Sequence, residues 1–212
     1  MPEPYKYADA AISQINRYAL RIAEKTKSKL TVLGFDELNV LKYTDSMYVD
    51  LNAYTRRKYI EVFIERYLEM LAFLKANVPD EDTVDEFAEM HIAELLDEPN
   101  PVTNYAYSTE VIRKRDRAKE AILSVQTKAQ KKLMLIKHLR YFLQMSQWYA
   151  DFASQDAEIQ ALNDAGVKKV QRHEMDDEKT CPVCRKADGE IYDINHIPKL
   201  PHPRCRRWFT PI

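Results

Sequence analysis

The sequence predicts a mainly α fold: an elongated helical bundle over residues 1–166, followed by a small β-hairpin domain over 167–212. Three observations carry this. Glycine is scarce, three in 212 residues, while 31% of residues are charged and 45% hydrophobic, a balance that suits long helices. Apolar residues recur at spacings of three and four through most of the chain up to residue 163. All three cysteines fall in two short knots beyond Val167, in a stretch with too few residues to bury a core of its own.

The helices follow from the apolar spacing. Residues 5–30 carry Ala8, Ala11, Ile15, Tyr18 and Ile22 on one side, and Gly34 is a stop. A second pattern begins near Asp36 and strengthens between Tyr54 and Lys75. There Tyr59, Phe63, Tyr67, Met70 and Leu74 form one stripe and Ile60, Ile64, Leu68 and Leu71 a neighbouring one, which predicts a wide buried face. Val78-Pro79-Asp80 ends that helix. Thr83 and Glu86 fit a capping box, opening a helix with Val84, Phe87, His91 and Leu95 inward. His91 has no second ligand three or four residues on, so it reads as a structural histidine. After Pro99-Asn100-Pro101, Ser108 can cap a helix to Val125 that places Val111, Arg115, Ala118, Ile122 and Val125 together. The opposite face, 113–120, is dense in charge of both signs and reads as solvated or as a contact for an acidic helix. Thr127 to Asn163 forms the last long helix, with Leu135, Leu139, Phe142, Ser146, Tyr149 and Ala153 in one stripe. Gly166 closes it and marks the domain boundary.

In the tail, Cys181-Pro182-Val183-Cys184 is followed by His202-Pro203-Arg204-Cys205. A two-residue spacer lets one tight turn present two ligands to a Zn²⁺ ion, and four side chains close a tetrahedron. The expected site is one structural zinc held by Cys181, Cys184, His202 and Cys205, stapling a hairpin domain that lacks a core. Two other readings stay open on the residues alone, a Cys181/Cys184 redox pair and a reduced, metal-free loop. An odd number of cysteines excludes complete disulfide pairing within the chain. Asp188-Gly189 is a hairpin turn signal, with strands expected at 168–174, 190–194 and 206–210.

The tail as a whole resembles the C-terminal domain of the phage minor head proteins, the Mu F / SPP1 gp7-like head morphogenesis family. The resemblance rests on Asp176-Asp177, Cys181-Pro182-Val183-Cys184, Ala187-Asp188-Gly189 and His202-Pro203-Arg204-Cys205-Arg206 in that order. Glu110-Val111-Ile112-Arg113-Lys114-Arg115 is similar to a second stretch of the family. Arg207 stands where the family has a last cysteine, so a histidine, His202 or His196, would be needed to complete four ligands. The resemblance implies a virion-associated minor head (capsid) protein, not an enzyme. Such a protein assembles in the host cytoplasm, lies at the portal vertex inside the capsid, and has the portal and capsid proteins as partners. Contact with packaged DNA is a further implication.

Composition bounds the alternatives. Net charge is −1, with 32 Lys and Arg against 33 Asp and Glu, which argues against a dedicated nucleic-acid binder. The tail is net +3, and its excess gathers at Arg204, Arg206 and Arg207, the candidate phosphate contacts of a zinc module that binds DNA. No run approaches a membrane span, and Met1-Pro2-Glu3-Pro4-Tyr5 lacks a signal-peptide layout, so a reducing, cytoplasmic setting without membrane contact is expected. There is no Gly-rich phosphate loop, no Gly-x-Ser-x-Gly elbow and no His-Glu-x-x-His helix. Asp193-Ile194-Asn195-His196-Ile197-Pro198 is similar to the opening of the HNH nuclease fold but lacks that fold's downstream Asn and His, leaving an HNH-like nuclease as the alternative enzyme reading.

Overall fold

The computed structural model describes residues 2–100, 103–175, 180–198 and 206–212. It is mainly helical, with a small three-stranded antiparallel sheet. In chain order come α1 (Lys6–Leu33), α2 (Glu37–Leu74), α3 (Glu81–Asp97), α4 (Tyr107–Ser124), α5 (Lys128–Asp164), β1 (Lys169–Glu174), α6 (Pro182–Lys186), β2 (Ile191–Asp193), a 3₁₀ turn (Ile194–His196) and β3 (Arg207–Pro211). Among the described residues no helix is long and apolar enough to cross a membrane.

Local chemistry explains where the helices start and stop. Gly34 takes φ +107°, which a side chain would resist, and so ends α1. Asp36 opens α2 by accepting the Asn39 N–H at 2.9 Å, and that bond holds the Asp36 carboxyl below its usual pKa. At α3 the cap is Asp80, not Thr83: Asp80 accepts both the Thr83 N–H and its hydroxyl at 2.9 Å. At α4 the cap position is Ala106 and no side chain fills it, so the expected Ser108 cap is not formed. Thr127 and Gln130 make a capping box at α5 that the sequence reading missed, each accepting the other's backbone N–H. Gly166, at φ +78°, closes α5 with Gly166 N–H to Asn163 O and Val167 N–H to Leu162 O, the paired bonds of a Schellman motif.

The chain folds into two compact units. The first comprises Met1–Ala10, Tyr59–Leu95 and Trp148–Ile212. Tyr59, Phe63, Tyr67 and Met70 are buried as expected and Leu74 is half-buried; in the neighbouring stripe Leu71 is buried as expected, but Ile60, Ile64 and Leu68 are only half-buried and Val62 and Arg66 lie inside instead. Arg66 is the surprise, since its guanidinium is wholly inside. On α5, Ala153, Ala157 and Ala161 are buried at four-residue intervals, small side chains that let neighbouring segments approach closely. His91 stacks on Phe63 with ring centroids 5.2 Å apart, and its Nδ1 lies 3.4 Å from Asp156.

That contact to Asp156 raises the His91 pKa against the opposing effect of burial. A raised histidine contributes stability that is complete below its unfolded pKa and fades as pH rises through the folded value. Asp156→Asn therefore lowers the unfolding free energy by roughly half a kcal/mol at pH 5.5 and leaves it nearly unchanged at pH 9, a small effect because the pair is partly solvated. Urea titrations at the two pH values would show this; equal losses at both would contradict it.

The second unit comprises Ala11–Lys58 and Leu96–Gln147. Here α1 buries Ala11, Ile15, Ala19, Ala23 and Leu30, so the inward line passes through Ala19 and Ala23 while Tyr18 and Ile22 lie half-exposed beside it. Tyr48 meets Phe142 edge-on at 5.7 Å, and burial pushes the Tyr48 hydroxyl pKa well up. The Thr55 and Tyr107 hydroxyls bond at 2.6 Å. On α4, Val111, Ala118 and Ile122 face inward as the spacing predicted, while Arg115 and Val125 of the same line are only half-buried.

Candidate metal centre

In the first unit, the sheet runs β2-β1-β3. β1 pairs antiparallel with β2, Val170 opposite Tyr192, and with β3, Arg172 opposite Phe209. The two-residue period of β1 buries Val170, Arg172 and Glu174, and Arg172 Nε donates to Glu174 Oε1 at 2.6 Å. Asp188-Gly189 does not join two adjacent strands by a two-residue hairpin, as the sequence suggested. It forms a turn between α6 and β2, inside a connection from β1 that carries all of α6. Gly189 sits at φ +80° and donates to Arg172 O at 2.8 Å, while Asp188 Oδ1 accepts the Glu174 N–H at 2.9 Å. This turn thus pins the end of β1.

The first cysteine pair lies just before it. Cys181 is the N-cap of α6, with Pro182 in the first helical position, where the missing N–H costs no bond. The Cys184 N–H donates to Cys181 Sγ at 3.4 Å, and Arg185 N–H to Cys181 O at 2.9 Å. Cys184 is 1% exposed and packs against Phe152 and Cys181. One tight turn therefore carries both sulfurs, as the spacing predicted. Two cysteine sulfurs carried on one turn are the donor type and spacing that a structural zinc takes. His202, Cys205 and Arg204 lie outside the described residues. Among the described residues no group of three or more metal-binding side chains comes together. His196 is 83% exposed, its Nδ1 3.6 Å from Asp193. His173 is engaged in the sheet, bonded to Thr210 Oγ1 at 2.8 Å and stacked on Trp208.

The two other candidate phosphate contacts, Arg206 and Arg207, have structural partners. Arg207 is 1% exposed, donates to Gln155 Oε1 at 3.1 Å and to Pro198 O, and receives the Tyr5 hydroxyl on its carbonyl at 2.7 Å. A guanidinium so enclosed is not presented to phosphate. Arg206 pairs with Asp9 at 2.7 Å and covers the Tyr5 ring at 4.5 Å.

The most consequential residues here were not predicted. Glu158 is buried on α5. It accepts from Arg66 Nη2 at 2.5 Å with one oxygen and from the Phe209 N–H of β3 at 2.7 Å with the other. Burial raises the Glu158 pKa, and Arg66 opposes that rise. One carboxylate thus ties α2, α5 and β3 together. The available signal was a charged residue, Arg66, standing at a core position between Phe63 and Met70. Neither family models, curated proteins nor solved structures match this chain.

Proposed function

We propose that this chain is a bacteriophage minor head protein that associates with the portal and takes part in head morphogenesis, with a structural zinc on Cys181, Cys184, His202 and Cys205. The reading rests on the ordered tail motif, and one observation supports it most. Positions of the motif outside the proposed ligand set have folding roles beside those within it: Asp188 and Gly189 hold β1 one turn beyond the Cys181–Cys184 helix. A motif that combines a ligand turn with the turn seating it on a strand behaves as one small folding unit. In this reading the helices dock on portal and capsid proteins at the portal vertex of the virion, no reaction is catalysed, and the boundary near Gly166 separates helical body from metal-bearing tail.

Co-expression with the portal subunit tests it. The chain is expected to sediment with portal rings on a sucrose gradient, and sedimentation only as the free chain would count against it. An HNH-like nuclease would instead nick plasmid in the presence of a divalent metal and lose that activity in His196→Ala.

A further inference from the structure

The near-neutral net charge conceals a strong division. The second unit, Ala11–Lys58 with Leu96–Gln147, holds nineteen Lys and Arg against ten Asp and Glu, net +9. The first unit holds thirteen against twenty-three, net −10, which together restores −1 for the chain. Within the basic unit the cations divide again. On α4, Lys114 pairs with Glu110 at 3.6 Å, Arg115 with Asp116 at 2.9 Å and Asp45 at 3.3 Å, and Lys119 also with Asp45. Those charges are answered inside the unit.

On α1 they are not. Arg17, Arg21, Lys25 and Lys29 are exposed and follow one another at four-residue steps, forming a single column. Each step advances about 6 Å and turns about 40°, so the four cations form a row about 18 Å long that winds roughly a third of the way round the helix. The acid within it, Glu24, is taken by Lys27. Among the described residues none of the four forms an ion pair. Like charges four apart on a helix repel and weaken it, so the column works against the folding of α1. Two aromatic groups hold it in place. Arg21 lies 5.2 Å from the Tyr18 ring, which stacks on Tyr54 at 3.9 Å, and Lys29 and Lys42 both lie over Tyr43, at 5.1 and 5.6 Å.

We infer that the α1 face of the second unit, through Arg17, Arg21, Lys25 and Lys29 with Lys42 beside them, is a binding surface for the phosphate backbone of double-stranded nucleic acid. A duplex carries one negative charge per roughly 1.7 Å of its axis, and its paired strands offer phosphates on both sides of a groove, so a row that winds along a helix meets phosphate at each cation. The aromatic rings argue for a duplex over a single strand. Tyr18 and Tyr54 are stacked on each other and flanked by Arg21 and Lys58, so they hold cations instead of offering a platform for unstacked bases. No base-reading element enters this, so binding is indifferent to sequence. The inference rests on the charge division and stands apart from the portal reading. A chain that joins portal rings but ignores DNA would sink this one alone.

Fluorescence anisotropy of the full chain on a labelled random-sequence duplex of about 30 base pairs, titrated between 50 and 200 mM salt, provides the test. The expected slope of log affinity against log salt is about −4, from four to five phosphate contacts. The triple variant Arg21→Gln/Lys25→Gln/Lys29→Gln is expected to lose about 3 from that slope and more than tenfold in affinity at 100 mM salt, while Lys25→Gln alone loses about 1. Its melting temperature should be equal or higher, since like-charge repulsion has been removed. Absence of binding at 50 mM salt, an unchanged slope in both α1 variants, or preferential displacement by single-stranded DNA would overturn the inference. So would a salt-sensitive self-association lost in the triple variant, since the cations would then serve the acidic unit of a second copy.

Discussion

Arg66→Met is expected to lower the unfolding free energy by about 3–5 kcal/mol, the cost of leaving one charge of a buried pair without its partner. Arg66 is fully enclosed and donates to Glu158 at 2.5 Å. Its removal strands a carboxylate whose other oxygen is already committed to the Phe209 N–H. Glu158→Leu should cost a similar amount and for two reasons. It leaves the Arg66 guanidinium with Glu69 as its remaining carboxylate, 3.1 Å away and part-exposed, and it orphans a backbone donor of β3. The diagnostic case is the double variant Arg66→Met/Glu158→Leu, expected to be less damaged than the sum of the singles, because two apolar side chains of comparable volume replace an ion pair whose desolvation was costly. Urea unfolding followed by circular dichroism gives all three values. Additive losses would mean that the two side chains act independently, against the geometry.

Cys184→Ser should have the second largest effect. If Cys181, Cys184, His202 and Cys205 hold zinc, the variant is expected to fall from about one metal per chain to nearly none by elemental analysis. Amide protection after Gly166 should then collapse while α-helical ellipticity stays close to the parent's, because zinc binding supplies folding free energy in small metal-stapled segments. Even without metal the change is unfavourable, since a hydroxyl replaces a sulfur packed against Phe152 in a 1% exposed site. Full metal content in the variant would remove Cys184 from the ligand set, and loss of all helicity would contradict a separable tail.

How far the sequence could be read depended on the range of the interaction. All six residues of the α5 stripe, Leu135 to Ala153, are buried, and Gly34 and Gly166 both adopt the positive φ that ends their helices. These are local signals, set by period and by the steric freedom of one residue. Caps were less legible. Asp80 and Thr83 both carry a capping oxygen three residues before a plausible partner, and only the backbone path decides between them. The inward line of α1 shifted from Tyr18 and Ile22 to Ala19 and Ala23 because close packing favours small side chains that a hydrophobic count undervalues. The Arg66–Glu158 pair, 92 positions apart, leaves one local trace, an arginine at a core position of α2, and nothing local names its partner. For the candidate metal centre, the spacing of Cys181 and Cys184 was sufficient to place both on one turn. Nothing in the tail's composition indicated that Arg207 would turn inward to Gln155. A run of arginines looks the same whether its side chains face water or a buried carbonyl.

The hydrogen bond from the Tyr5 hydroxyl to Arg207 O joins residues 202 positions apart. During translation at about 5–20 residues per second, Tyr5 is made roughly 10–40 s before its acceptor exists. Over that interval the nascent chain holds an aromatic ring and the nearby Asp9 carboxylate ready for a strand not yet made. The segment around Tyr5 must therefore wait, unclosed and within reach of chaperones, until Arg207 has been made.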